Sequence, residues 1–312
     1  MKKAIFSRLI TMSTSGTIMN SGKTNKTVFF GSGPVAAKCL ELLANHTKVE
    51  VVITKPRLPH HRGNVPVLEL AEKLGLNVLT ASNKKELDTL MDNHTFSSDY
   101  AVLIDFGIIV SKKVIDTFKY GIINSHFSLL PRLRGADPIT WAIANGDEKT
   151  GVSLMLIDEG MDTGKLITQK TLHLASDETT PSLTEKLILL SDELLQRYLP
   201  DYLSGEITPR TQPHTDRATY SRKLSKADGV IDLTQPAETI ERRIRAFLDW
   251  PQSRTTLGSV DIIITRSHVS DHKTELSIRC GDGKFLAIDS LKPLGKKEMP
   301  AKAFLAGYKH RI

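Results

Sequence analysis

Thr27-Val-Phe-Phe-Gly-Ser-Gly-Pro-Val-Ala36 decides the fold class. Its first half is short and apolar, as a buried strand is. Gly31-Ser-Gly33 turns the chain, and Pro34 suits the first position of a helix. Val35, Cys39, Leu42 and Leu43 then recur at helical spacing. Working outward, residues 50–54 read as a second strand, 67–74 as a helix, 77–79 as a short strand, and 100–105 and 122–124 as further strands. Strands alternating with helices imply a parallel sheet covered on both faces. The opening stretch also matches the loose dinucleotide fingerprint G-x-G-x-x-A. The second strand ends at Thr54 and Lys55 with no acid placed to hold a ribose hydroxyl. A tight turn with close helix–sheet packing is therefore favoured over a nicotinamide site.

Residues 201–220 are rich in Pro, Thr and Gly and read as a linker. Residues 237–247 follow as a basic helix with Arg242, Arg243 and Arg245, the last expected to pack against Trp250. The β-like runs 260–265, 275–280 and 284–291 come next, the last two joined by the hairpin turn Gly281-Asp-Gly283. They describe a small β-rich domain of barrel type.

The 312 residues suffice for two domains, and 25% charged with 40% apolar residues is ordinary for a globular chain. No apolar run reaches the ~20 residues of a membrane helix. Cys39 and Cys280 make neither a disulfide framework nor a zinc site. A reducing, intracellular compartment is the simple expectation. The net charge of +7 is unevenly spread. Residues 1–26 carry five Lys/Arg and no acid, residues 27–205 carry 18 basic and 22 acidic side chains, and residues 206–312 carry 19 and 13. A basic C-terminal part beside an acidic middle points to an anionic partner, of which nucleic acid is the usual one. The first 26 residues read as a disordered basic tail or an upstream start, preferred over an organellar transit peptide. The compartment expected is the cytoplasm of a bacterium, or a mitochondrial or plastid matrix if the tail is a transit peptide.

The chemistry concentrates in Asn124-Ser-His-Phe-Ser-Leu-Leu-Pro-Arg-Leu-Arg-Gly135. It follows a strand, so Asn124 and His126 sit at the carboxyl end of the sheet, where open α/β sheets bind ligands. Two-residue spacing in extended chain points both to one side, so an amide donor and an imidazole can face one carbonyl. The glycines of Asp158-Glu-Gly-Met-Asp-Thr-Gly164 permit a tight turn able to bring Asp162 to the histidine. No cluster with metal-ligand spacing is present, and no metal is expected.

The pair N-x-H-x-S-L-L-P-x-x-x-G and D-x-G-x-D-T-G resembles the folate-dependent formyltransferase family, and the likeness extends over residues 27–312 through Thr219-Tyr-Ser-Arg-Lys-Leu-Ser-Lys226, Arg245-Ala-Phe-Leu-Asp-Trp-Pro251 and Gly295-Lys-Lys-Glu-Met-Pro-Ala301. The resemblance implies a Rossmann-like catalytic domain (27–205) with a mostly parallel sheet, then a linker and a smaller OB-like β-barrel domain (206–312) that binds tRNA. It implies Asn124, His126 and Asp162 as the catalytic triad. Ser128, Leu129, Leu130 and Pro131, with Asp105 and Gly107, are the implied folate contacts. Arg57, His61 and Arg62 in the loop after the second strand, with Arg242, Arg243, Lys296 and Lys297, are the expected tRNA contacts. The implied reaction moves the formyl group of 10-formyltetrahydrofolate to the amino group of methionyl-initiator tRNA, on a monomer with no membrane partner. Asn124 and His126 stabilise the tetrahedral oxyanion, and Asp162 orients the imidazole. The chain departs from the family pattern at Phe127, at Asp105 and in a short loop at residues 55–66, and the C-terminal domain is short. The alternatives are a sugar-nucleotide N-formyltransferase and a catalytically inactive RNA- or nucleotide-binding homologue.

Overall fold

A computed structural model describes residues 26–57 and 63–312. Nearly all of the expected basic tail lies outside the described residues, but Lys26 opens the first strand. The order is β1 (Lys26–Phe30), α1 (Pro34–Leu43), β2 (Lys48–Thr54), α2 (Pro66–Lys73), β3 (Val78–Thr80), α3 (Lys84–Asn93), β4 (Ala101–Leu103), α4 (Lys112–Asp116) and β5 (Ile122–His126). There follow β6 (Arg134–Gly135), α5 (Pro138–Ala144), β7 (Lys149–Leu156), β8 (Leu166–His173) and α6 (Thr180–Ser204).

Seven strands form one sheet in the order β3-β2-β1-β4-β5-β7-β8. The first five are parallel, as expected, and β7 and β8 extend the sheet antiparallel. Central parallel strands are covered on both faces and must be apolar on both. Val28, Phe29 and Phe30 are accordingly fully buried. Phe29 packs with Leu40 and Leu43 of α1 and Leu187 of α6 on one face. Val28 and Phe30 pack with Leu87 of α3 and Phe118 on the other. The chain runs outward from β1 to β3 and returns to β4 on the other side of β1. This reversal opens a crevice at the carboxyl ends of β1 and β4.

The glycines after β1 serve close packing, as their reading as a tight turn requires. A Cβ on Gly31 would stand 2.6 Å from the Phe29 ring, and one on Gly33 would stand 1.8 Å from the Asp105 carboxylate. A carboxylate over this turn also opposes a pyrophosphate there. Thr179 caps α6 by accepting from the Ser182 N–H, and the helix runs through Ser204. The first four residues of the expected linker are therefore helical.

The second unit comprises β9 (Tyr220–Ser221), α7 (Ala237–Ala246), β10 (Ser253–Leu257), β11 (Val260–Ser270), β12 (Ser277–Arg279), β13 (Phe285–Pro293), β14 (Met299–Pro300) and α8 (Ala301–Tyr308). Five of these strands, β10 to β14, make a curled antiparallel sheet in which β11 lies between β10 and β13, and β13 also pairs β12 and β14. Register shifts around Arg266 mark where β11 bends against β13. Ile240 and Ile244 of α7 close the core against Ile262, Ile264, Leu286 and Phe304. Gly283, at a φ of 84°, makes the turn between β12 and β13. No helix among the described residues is long and apolar enough to cross a membrane.

Candidate active site

Asn124 and His126 lie two residues apart on β5, and both are buried. Parallel pairing sets Asn124 beside Leu103 of β4, and antiparallel pairing sets His126 beside Ser153 of β7. The His126 Nε2 lies 2.8 Å from the Leu133 carbonyl oxygen. A carbonyl only accepts, so Nε2 holds a proton and donates it. Nδ1 is the ring nitrogen left to exchange protons, and it lies 3.7 Å from Asp162 Oδ2.

Asp162 stands in the turn between β7 and β8 at a left-handed φ of 52°. Its Oδ2 accepts from the Gly135 N–H at 2.7 Å, and its Oδ1 lies 3.5 Å from Asn124 Nδ2. Asp158 shapes the turn by accepting from the Gly160 N–H at 3.0 Å and the Thr163 hydroxyl at 2.7 Å. The structure thus brings the three expected residues together, two on one strand and the third on a turn 36 or more residues further along the chain. Among the described residues, no group of three or more His, Cys, Asp or Glu side chains is placed to hold a metal ion.

The loop 128–131 divides by burial. Ser128 is buried, and its hydroxyl donates to the Arg132 carbonyl at 2.6 Å. Leu130 is buried with Met155 and Leu166, its N–H donates to Ser153 Oγ, and its carbonyl accepts from Gln169. These two hold the loop's shape, while Leu129 and Pro131 keep partial exposure. Gly107 follows β4 with a φ of 65°, close to the Lys55 side chain.

Asp105 lies two residues beyond the end of β4, at a φ of 45°. Its side chain is exposed to solvent, and its carboxylate lies close beside Gly33. Desolvation by the surrounding protein pushes its carboxyl up to about 6, Asp137 adds to the rise, and Lys55 opposes it. The native state therefore holds this proton more tightly than the unfolded chain, whose value is 3.8. Ionisation costs stability, absent below the unfolded value and growing as pH rises toward 6. Asp105→Asn is expected to melt above wild type at about pH 8, with the gain fading below about pH 4. Asn tolerates the left-handed conformation. Thermal melts at the two pH values check this, and an unchanged or lower melting temperature at the higher pH would show the carboxylate to be neutral or stabilising.

The basic residues fall in different settings. Arg57 is exposed and paired with Glu69 at 3.0 Å. His60, His61 and Arg62 lie outside the described residues. Arg242 is half-buried: it packs over Gly146, reaches Thr239 Oγ1 at 3.3 Å, and leaves Nε without a hydrogen-bond partner. Arg243 is half-buried as well. Arg245 does not spend its charge against Trp250: its guanidinium binds Glu241 at 2.7 Å and the Glu178 carbonyl at 2.6 Å. Lys296 and Lys297 are exposed and line a groove of about 660 Å³ with Arg266, Lys292, Asp249 and Glu298.

Sequence reasoning missed Arg134, Gln212 and Thr219. β6 pairs with β9 in parallel, which sets Arg134 beside Tyr220 and Gly135 beside Ser221. The Thr219 hydroxyl accepts from the Leu133 N–H at 2.9 Å. Leu133 holds the histidine and Gly135 holds Asp162, so the segment read as a linker supports both. The burial of Gln212 within this polar stretch is visible only in the structure, and nothing in the sequence marks it.

Two family models match the chain: formyl transferase over residues 25–199, and the formyl transferase C-terminal domain over residues 223–309. A methionyl-tRNA formyltransferase of Myxococcus xanthus is 38% identical over 297 residues, covering 90% of this chain and 95% of that protein. A methionyl-tRNA formyltransferase of Roseiflexus castenholzii is 36% identical over 299 residues, with the same coverage. Among solved structures, the sugar 3N-formyl transferase WlaRD has a TM-score of 0.65 at 20% identity, covering 88% of this chain and 100% of that one. This last likeness is one of fold. The chain belongs to the formyl transferase family.

Proposed function

We propose that this chain transfers the formyl group of 10-formyltetrahydrofolate to the amino group of methionyl-initiator tRNA, for translation initiation. The observation that carries the acceptor is the similarity to methionyl-tRNA formyltransferases over nearly the full length of both chains. The convergent Asn124, His126 and Asp162 supply the chemistry. The amine nitrogen bonds to the formyl carbon, and negative charge gathers on the formyl oxygen. The Asn124 amide and the protonated Nδ1 of His126 donate to that oxygen, and a fixed donor of this kind contributes roughly 100- to 1,000-fold in rate. As the C–N10 bond breaks, Nδ1 gives its proton to N10, and the nitrogen so freed then takes the proton lost by the amine. Leu129, Pro131, Asp105 and Gly107 are the proposed folate contacts, with Ser128 and Leu130 behind them. The enzyme acts as a monomer in the cytoplasm.

For the tRNA backbone we assign Lys296 and Lys297, with Arg266 and Lys292 beside them in the groove. Arg57, His61, Arg62, Arg242 and Arg243 remain proposed contacts, the two helix arginines being the more constrained. Each neutralised phosphate releases counterions, so affinity falls with salt. Lys296→Ala with Lys297→Ala is expected to raise KM for charged tRNA, leave kcat nearly unchanged, and flatten the salt slope by about one to two units. Competition among charged initiator tRNA, an amino-sugar nucleotide and water as acceptors tests the whole reading. Robust amino-sugar formylation without tRNA formylation would replace it with the sugar-nucleotide reaction.

A further inference from the structure

Arg134 is only 5% exposed, and no carboxylate pairs with it among the described residues. A buried guanidinium without a counter-ion is costly unless its donors are directed. One terminal nitrogen donates to Gln212 Oε1 at 2.7 Å, and the other reaches the Tyr220 hydroxyl at 3.3 Å. Gln212 is itself 4% exposed. Its Nε2 lies 2.7 Å from the Asp162 carbonyl and 2.9 Å from the Gly164 carbonyl. A guanidinium only donates and carbonyls only accept, so the amide has one possible orientation. Both of its hydrogens enter the turn that carries Asp162.

That turn needs an external hold. Asp162 has a left-handed φ, which a non-glycine residue adopts at a cost. Its carboxylate must reach the Gly135 N–H, Asn124 and His126 at once. Gln212 arrives from the segment between the two domains, 50 residues away in sequence. Just upstream, Arg210 exchanges backbone hydrogen bonds with Leu166 at the start of β8, which anchors the segment beside the turn.

We infer that Gln212, oriented by Arg134, is a positioning residue that clamps the Asp162 turn and thereby sets the carboxylate against His126. Neither side chain touches the reacting atoms. The inference rests on the formyl-transfer reading of this site. Its consequence is that the interdomain segment is part of the catalytic apparatus, and rate depends on how that segment is seated.

The test uses the full chain with Gln212→Glu and Gln212→Ala. Glutamate keeps the shape and its contact with Arg134 but sets a carboxylate oxygen against two carbonyls. Both variants are expected to lose about 10- to 100-fold in kcat, since small misplacements of catalytic groups have effects of this size. KM for the formyl donor and for the acceptor should stay within about threefold. The pH midpoint of kcat/KM that reports the His126–Asp162 pair should move, because the separation of the two groups changes. Turnover within about threefold of wild type in both variants would overturn the inference. So would a loss of kcat with an unmoved pH midpoint, which would leave Gln212 a purely structural role. Wild-type turnover measured alongside reports separately on the formyl-transfer reading: if wild type formylates no acceptor, that reading fails, whatever the variants do.

Discussion

His126→Ala and Asp162→Asn are each expected to lower turnover by about 100-fold or more, with the fold retained. The loss at His126 removes the Nδ1 donor and proton carrier together. The Leu133 carbonyl released by the histidine keeps the Ser221 hydroxyl within 3.5 Å, which limits the structural effect. Asparagine at 162 keeps the left-handed backbone accessible and retains one oxygen to accept from the Gly135 N–H. It loses the charge that faces Nδ1. The two defects should not multiply, because both act on one imidazole; a double variant close to the weaker single variant is the expected result. Single-turnover kinetics with circular dichroism as the fold control is the measurement. Near-wild-type turnover in either single variant would remove that residue from the mechanism.

Gly164→Ala is the second large effect. A Cβ there would lie 1.7 Å from the Leu156 carbonyl oxygen and 2.9 Å from its carbon. Both are backbone atoms at the end of β7, tied down by the Leu156 N–H donating to the Lys165 carbonyl at 2.9 Å. No side-chain rotation relieves the clash, so the turn must open. Opening it displaces the Gly164 carbonyl from Gln212 and moves Asp162, two residues back. A stability loss of about 1–3 kcal/mol is expected from overpacking of this kind, with a fall in kcat of about 100-fold from the misplaced carboxylate. Gly307→Ala is the matched control. Nothing lies within 4 Å of a Cβ there, and the residue sits within α8, where alanine is the better helix former. Equal melting temperatures and rates in the two variants would show that the turn accommodates a methyl group, and the packing account would fail.

The convergence of Asn124, His126 and Asp162 was legible because its signals are local. Asn124 and His126 follow an apolar strand with two-residue spacing, and extended chain geometry alone puts them on one side. Asp162 was legible because two glycines bracket it in a short motif. The parallel sheet was legible as a class, through alternation of strands and helices. The strands on either side of the Asp162 turn, Lys149–Leu156 and Leu166–His173, were not read, and they carry the sheet antiparallel past β5. Their sides are both buried near the start of β7, from Thr150 to Met155, which hides the two-residue alternation.

The roles of individual charges resisted reading for a different reason. Arg242 and Lys296 look alike in sequence, each a cation beside another cation. Packing decides between them: Arg242 meets Gly146 across the interdomain contact, whereas Lys296 stays in the open groove. Arg245 was expected against Trp250, and its guanidinium is instead spent on Glu241 and the Glu178 carbonyl.

By itself, the order of residues determined the two-part architecture, the parallel sheet, which three side chains are proposed to act on the formyl group and the excess of positive charge in the C-terminal part. All of these depend on spacing, periodicity or composition within short windows. Only the tertiary structure decided which nitrogen of His126 is free, what holds Asp162 in its left-handed turn, and that Arg134 and Gln212 stand behind both. These are hydrogen bonds between groups 7 to 86 residues apart. Their partners are chosen by the shape of the assembled chain, where most buried donors find an acceptor within reach.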